Sequence, residues 1–224
     1  MPLATRELAM FPLGSVLLPG MPLPLRVFEP RYVALLSTVL GEPDREFGVV
    51  LIERGSEVGG GDARFTVGTV ATVVTVEIGE GSIVLLARGT DRFEVVEWLA
   101  EDPFPRARVR ELAPLVVAPD GPGALASLAA AERVVRDTLT RHSEFVELPW
   151  PADVRLSDDP VERLWQLAGI APIGPLDQQA LLRSSTTAEL ITRLVAETLA
   201  AGAALAAGWT DDAGDLDDPD EEAT

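Results

Sequence analysis

The stretch that most constrains this chain is "FPLGSVLLPGMPLPLRVFEPRY", Phe11 to Tyr32, which sets five prolines among apolar residues. Proline has no backbone N–H to give a sheet ladder, and inside a helix its ring clashes with the preceding turn. The segment is apolar enough to be buried, yet excluded from a continuous helix and from a central strand. The reading that meets both conditions is an extended connector that crosses a β-structure without continuing a ladder. It would bury Leu17, Leu18, Leu23, Leu25 and Val27. The stretch ends on Glu29-Pro30-Arg31. Pro30 suits the first position of a helix, and Tyr32, Leu35, Leu36, Val39 and Leu40 follow at helical spacing. Gly41 and Pro43 close that helix. An arginine in the first turn meets the positive end of the helix dipole, so Arg31 needs a partner. Glu29 and Arg31 are read as a clamp that fixes this helix to the β-structure, and only secondarily as ligand contacts.

Around this helix the first half of the chain reads as strands. "FGVVLI" (Phe47–Ile52) is a short apolar run of the buried kind. "FTVGTVATVVTVEI" (Phe65–Ile78) is rich in Val and Thr, with a bulge or bend expected at Gly68. "GEG" (Gly79–Gly81) predicts a hairpin turn into "SIVLLARG", and "DRFEVVEWL" reads as a further strand. "RARVRE" (Arg106–Glu111) alternates as a half-exposed strand does. Five or more strands around one helix predict a small, mostly antiparallel barrel or curled sheet.

The Pro/Gly-rich "APLVVAPDGPG" (Ala113–Gly123) marks a boundary, after which the periodicity becomes helical. Leu125, Leu128, Ala131, Val135 and Leu139 share one face. Asp159-Pro160-Val161-Glu162 is a strong helix start, a short helix follows Pro175, and Thr186-x-x-Glu189 has capping-box spacing. About four helices are predicted. The apolar content stops near Trp209. Residues 1–113, 114–209 and 210–224 are thus expected as a β-barrel unit, a helical unit and a disordered acidic tail.

Composition removes several chemistries. The formal charge is −18, every one of the 18 basic residues is Arg, and Lys, Asn and Cys are absent. Without Lys there is no Schiff base, no Ser-Lys dyad and no P-loop. Without Cys there is no disulfide and no thiolate metal site. A chain this acidic is a poor bulk partner for nucleic acid. No run reaches the ~18 apolar residues of a membrane span, and the first residues do not follow a secretory pattern. A cytoplasmic location without membrane contact is the expectation.

The remaining candidates divide by their chemistry. Gly59-Gly60-Gly61 lacks the spacing of a phosphate loop and reads as a loop between strands. His142, the single histidine, falls in the last turn of a helix, where a cation complements the dipole, and its neighbours Ser143 and Glu144 do not make a triad. Arg106, Arg108 and Arg110 share one face of their strand. They read as a charged strand face that blocks aggregation or, functionally, as an anion or acidic-peptide stripe.

Taken in order, "FPLGSVLLPGMPLPLRVFEPRY", "REFGVVLIERGSEVGGGD", "VGTVATV", "GTDRFEVVEW" and "LDQQALLRSSTTAELITRL" resemble the N-terminal substrate-binding domain of Lon proteases (the peptidase S16 type), over roughly residues 8–207. The resemblance implies an α+β fold, a PUA-like mostly antiparallel β-pseudobarrel with one helix followed by an all-α helical bundle. It implies a non-catalytic module without the ATPase and Ser-Lys protease parts, needing no cofactor or metal. Its expected partners are unfolded or degron-bearing protein segments, with roles as an adaptor to a separate protease or as a chaperone-like binder. Contacts between protomers make a homo-oligomer compatible with it. The expected binding face combines Phe28, Phe93 and Val95 with flanking Arg106, Arg108 and Arg110. The alternative, RNA or nucleotide binding, rests on analogy with other PUA-like folds.

Overall fold

The Val- and Thr-rich stretches form strands because β-branched side chains fit a pleated, half-buried surface. The structure, a computed structural model, describes residues 5–54, 63–79, 82–117 and 122–213. The Gly59-Gly60-Gly61 loop, Glu80 and Gly81 of the predicted turn, and residues 214–224 lie outside the described residues, as does the side chain of Leu125. The order is β1 (Thr5–Leu13), β2 (Pro22–Val27), α1 (Pro30–Gly41), β3 (Glu46–Arg54), β4 (Ala63–Gly79), β5 (Ser82–Trp98), β6 (Arg106–Glu111), α2 (Pro122–Ser143), α3 (Pro160–Ile170), α4 (Pro175–Leu182) and α5 (Thr187–Ala213). The last helix therefore runs past the expected boundary at residue 209. Among the described residues, no helix is long and apolar enough to cross a membrane.

The sheet has the order β2-β5-β4-β3-β1-β6, and a further β5–β6 pairing closes it. All pairings are antiparallel except β1 with β3. Strand β5 makes the closure. One edge pairs with β4, while the other pairs first with β2 (Ile83–Arg88) and then with β6 (Phe93–Trp98). Two sequence expectations are corrected here. "SIVLLARG" and "DRFEVVEWL" are one strand, not two. The proline stretch does continue a ladder: β2 pairs with β5 from Pro22↔Arg88 to Val27↔Ile83. It does so at the sheet's edge, where one side of the strand needs no donors, and the alternation of Pro22 and Pro24 puts both missing donors on the same side. Leu17, Leu18 and Val27 are buried as expected, but Leu23 and Leu25 only partly.

Inside the barrel, Leu8, Met10, Val50, Val70, Phe93, Val95, Ala107 and Val109 form one buried cluster. The β3–β4 register shifts just beyond Gly68, as the predicted bulge requires. The other buried cluster runs from Phe11 and Leu13 through α1 to the helices, reaching Leu164, Leu190 and Leu194. Strands and helices thus share this second cluster, while the barrel interior has its own. Tyr32 of α1 stacks on Phe11, with ring centroids 4.1 Å apart, so the first and last residues of the proline stretch meet.

The helices are capped much as their sequence implies, with one diversion. Asp159 Oδ1 accepts the N–H groups of Val161 and Glu162 at 3.0 and 2.8 Å. Glu162 instead turns outward, accepting from Ser157 Oγ at 2.9 Å and pairing with Arg88 on β5. A second network ties α2 to α3 and to the strap before it. Glu132 accepts from Arg136 and Arg163, each at 2.8 Å, and Arg136 also donates to the Ala152 and Val154 carbonyls. Burial alone would raise the Glu132 carboxyl, but the bonds and charges of the two arginines outweigh it and hold it below its ordinary value. A carboxyl lowered by folding adds stability above its unfolded value, about 4.3, and that stability is lost as pH falls through the lower folded value. Glu132→Gln is expected to cost about 1–3 kcal/mol near neutral pH. It should also lose less than wild type when thermal unfolding is followed from about pH 5 to pH 3. Parallel losses in the two proteins would contradict this.

Candidate functional site

The residues picked from sequence do not converge on one face. Glu29 and Arg31 pair with each other at 3.2 Å, and the Arg31 guanidinium lies 4.6 Å from the Tyr32 ring centre. The pair sits within the entry to α1, and its neighbour Tyr32 carries the contact to the barrel. Glu29 is the N-cap residue, but its side chain makes no cap hydrogen bond. Arg108 pairs with Glu97 at 2.6 Å and approaches Glu7 at 4.0 Å, and Arg110 pairs with Glu94. The expected anion stripe is therefore neutralised across the β1–β6–β5 ladder. Arg106 is partly buried, and its Nε has no hydrogen-bond partner. His142 closes α2, with its carbonyl accepting from Phe145 and Val146 N–H and its Nδ1 3.0 Å from the Thr138 carbonyl.

Phe28 and Phe93 separate completely. Phe28 is 62% exposed, whereas Phe93 is fully buried and Val95 nearly so. A face built from Phe28, Phe93 and Val95 does not form, because Phe93 and Val95 point into the narrow barrel and fill it. From sequence, an aromatic in a strand can be a contact or a filling. In a small barrel, that side chain is needed as filling.

A different apolar surface stands on the outside of the β2–β5–β4 sheet. Residues directly opposite each other in a ladder share a face. Pro22, Pro24 and Arg26 of β2 lie opposite Arg88, Leu86 and Val84 of β5. The β4–β5 register shifts between Val73 and Thr75, which leaves Val74 as the extra residue. Val74, Val84 and Leu86 are all exposed. This strip runs into a cavity of about 350 Å³ where the barrel meets the helical half, walled by Met21, Leu86, Trp150, Leu156 and Ile170. Among the described residues, the ionisable side chains lining it are Arg88 and Arg155. Part of this was legible: in "SIVLLARG" both alternating sets are apolar, which a strand with one plainly solvated face does not need. The bulge at Val74 and the approach of Trp150 depend on tertiary packing. At the strip's far edge, β2 offers few donors for strand addition, because Pro22 and Pro24 have none.

A second cavity, of about 520 Å³, lies between β5 and the start of α3. Its wall includes Arg92, whose guanidinium is already committed. It donates to the Leu182, Ser184 and Ala113 carbonyls at 2.8, 2.5 and 2.8 Å and lies 5.1 Å from the Trp165 ring centre. Burial pushes the Arg92 guanidinium down from its ordinary value. This spot is a joint between barrel and helices. Among the described residues, no group of three or more His, Asp or Glu could hold a metal ion.

Comparison with known proteins agrees with this architecture. The family model of the ATP-dependent protease La (LON) substrate-binding domain matches residues 7–197. Lon protease 2 of Myxococcus xanthus is 39% identical over 98 residues, 43% of this chain and 12% of that protein. Lon protease 2 of Herpetosiphon aurantiacus is 30% identical over 200 residues, 85% of this chain and 23% of that protein. The chain thus matches only about a tenth to a quarter of these relatives' length. A crystal structure of a Lon N-terminal domain protein from Xanthomonas campestris superposes with a TM-score of 0.59 at 26% identity, covering 85% of this chain and 98% of that one. The N-terminal domain of a Mycobacterium avium complex Lon protease gives 0.60 at 17% identity, covering 86% and 98%, a likeness of fold.

Proposed function

The chain belongs to the family of Lon substrate-binding domains, and from that premise we propose that it is a non-catalytic module that binds unfolded or degron-bearing protein segments. The observation that carries this reading is the exposed apolar strip Val74–Val84–Leu86 leading into the Trp150 cavity. Contiguous exposed apolar surface beside a concave pocket is what an extended apolar segment needs for affinity. These 224 residues hold no Lys for a Ser-Lys dyad of their own. An adaptor role, delivering such segments to a separate protease, and a chaperone-like holding role both use the same surface. Self-association and a cytoplasmic setting are compatible with either. The RNA-binding alternative gains nothing from the arginine stripe, since Glu94 and Glu97 already pair with Arg110 and Arg108.

The test is saturable binding of the purified chain to a permanently unfolded model protein, with its folded form as control. Val74→Asp together with Leu86→Asp is expected to weaken that binding at least about tenfold, the scale of two lost apolar contacts. Because both side chains are exposed, the fold should be kept. A well-folded wild-type sample that binds nothing would sink the proposal. Co-purification with an ATP-dependent protease would favour the adaptor role.

A further inference from the structure

We propose that the strip selects apolar segments flanked by carboxylates, an inference that rests on the strip being the binding surface. The chain carries a net charge of −18, yet the ionisable residues described around the strip's cavity are two arginines. Arg155 is 89% exposed, and its recorded partner Asp158, 3.8 Å away, is equally open. Such a pair contributes little and leaves the guanidinium able to turn to a ligand. Arg88 is half-exposed, and its guanidinium Nη2 is paired with Glu162. A third arginine, Arg26, is exposed opposite Val84, four strand residues from Arg88. At ~3.3 Å per residue that separation is about 13 Å, so Arg26 stands at one end of an apolar middle formed by Leu86 and Pro24, and Arg155 stands at the cavity end beside the Glu162-paired Arg88.

An extended segment lying along β5 matches this layout when it has two or three apolar residues in the centre and an Asp or Glu on each side, about four residues apart. The apolar centre supplies the affinity, and the flanking charges set register and preference. Besides Glu162 and Asp158, which already face Arg88 and Arg155, a carboxylate on the sheet itself works against this. Glu77 is exposed and lies opposite Val84 on the β4 side. It repels an acidic flank there and favours a path on the β2 side, beside Arg26.

The experiment uses the full 224-residue chain and three labelled peptides with one apolar centre, flanked by Asp, Ser or Arg. Fluorescence anisotropy at low salt should rank them Asp, then Ser, then Arg. The Asp-flanked peptide should bind about two- to tenfold tighter than the Ser-flanked one, the scale of one or two exposed ion pairs. The ranking should collapse at about 0.5 M salt. Arg26→Glu with Arg155→Glu should invert it, and Glu77→Gln should tighten the Asp-flanked peptide alone. Equal or better binding of the Ser-flanked peptide, or an order unchanged by the double reversal, overturns the charge preference while leaving apolar binding standing. Failure of all three peptides to bind overturns both readings. A dimer that dissociates in the double variant, with no ranking of peptides, assigns the strip to a second copy of the chain and also overturns the proposal.

Discussion

Replacing Arg92 with methionine is expected to lower the stability of the protein by about 3–5 kcal/mol, more than any other single polar substitution discussed above. The side chain volume is nearly kept, so the loss does not come from a void. It comes from three carbonyls, those of Leu182, Ser184 and Ala113, that lose their donor, the first two of them at buried bonds. Leu182 is the last residue of α4, and a helix end leaves its final carbonyls without intrahelical partners. The guanidinium supplies those partners from the barrel side and meets the negative end of the helix dipole. It also lies against Trp165 of α3. One β5 side chain therefore holds α3, α4 and the connector after β6. Arg92→Lys keeps the charge but not the fork of donors, so it should recover less than half of the loss. A chain of this size should show a fall in Tm of about 10 °C. Hydrogen exchange should locate the fastest new opening at the α4–α5 junction. A methionine variant within about 1 kcal/mol of wild type would show that the carbonyls find other partners.

This joint explains what was hidden in the sequence. The helix starts were visible because caps are local: Asp159 sits within one turn of the Val161 and Glu162 N–H groups it serves, with Pro160 at the first helical position between them. The amphipathic stripe of α1 was visible for the same reason. Arg92 was invisible as a joint because its acceptors lie about 20 and 90 residues away, at Ala113, Leu182 and Ser184. The pairing of the proline stretch is hidden for a related reason. Its prolines exclude a central strand, but whether a strand lies at an edge depends on which partners the rest of the chain provides. The family was legible because the order of turns and strands persists in sequence. The binding surface was not, because apolar residues in a small barrel can face either its interior or its outside. Phe93 and Leu86 lie on the same strand and have opposite fates.

The fate of Phe93 is set by two glycines, and this leads to the other large effect expected here. Gly68→Ala should cost at least about 3–5 kcal/mol, with most of the protein failing to accumulate in soluble form. A Cβ at position 68 would lie 2.2 Å from the Val49 carbonyl oxygen, 2.7 Å from Phe93 Cζ and 2.8 Å from Val50 Cγ1. The first of these contacts belongs to the backbone of a paired strand and cannot rotate away. Gly48 makes the informative comparison. A Cβ there would meet Met10 Sδ at 2.6 Å and Phe93 Cζ at 2.9 Å, both of them side-chain atoms. Methionine is unbranched and repacks readily, so Gly48→Ala should cost about 1–3 kcal/mol and be partly rescued by Met10→Val. Gly68→Ala should not be rescued by Phe93→Leu, since the carbonyl contact remains. Denaturant unfolding of the four variants separates the cases, and a Gly68→Ala protein rescued by Phe93→Leu would show that the strand backbone can yield. The same geometry sets how a Phe93 variant should be read in a binding assay. Phe93→Ala empties the barrel at a cost of about 3–5 kcal/mol, so weaker peptide binding by that variant would report a loosened barrel rather than a lost contact. Substitutions at Val74 or Leu86 change the outer strip without touching the filling.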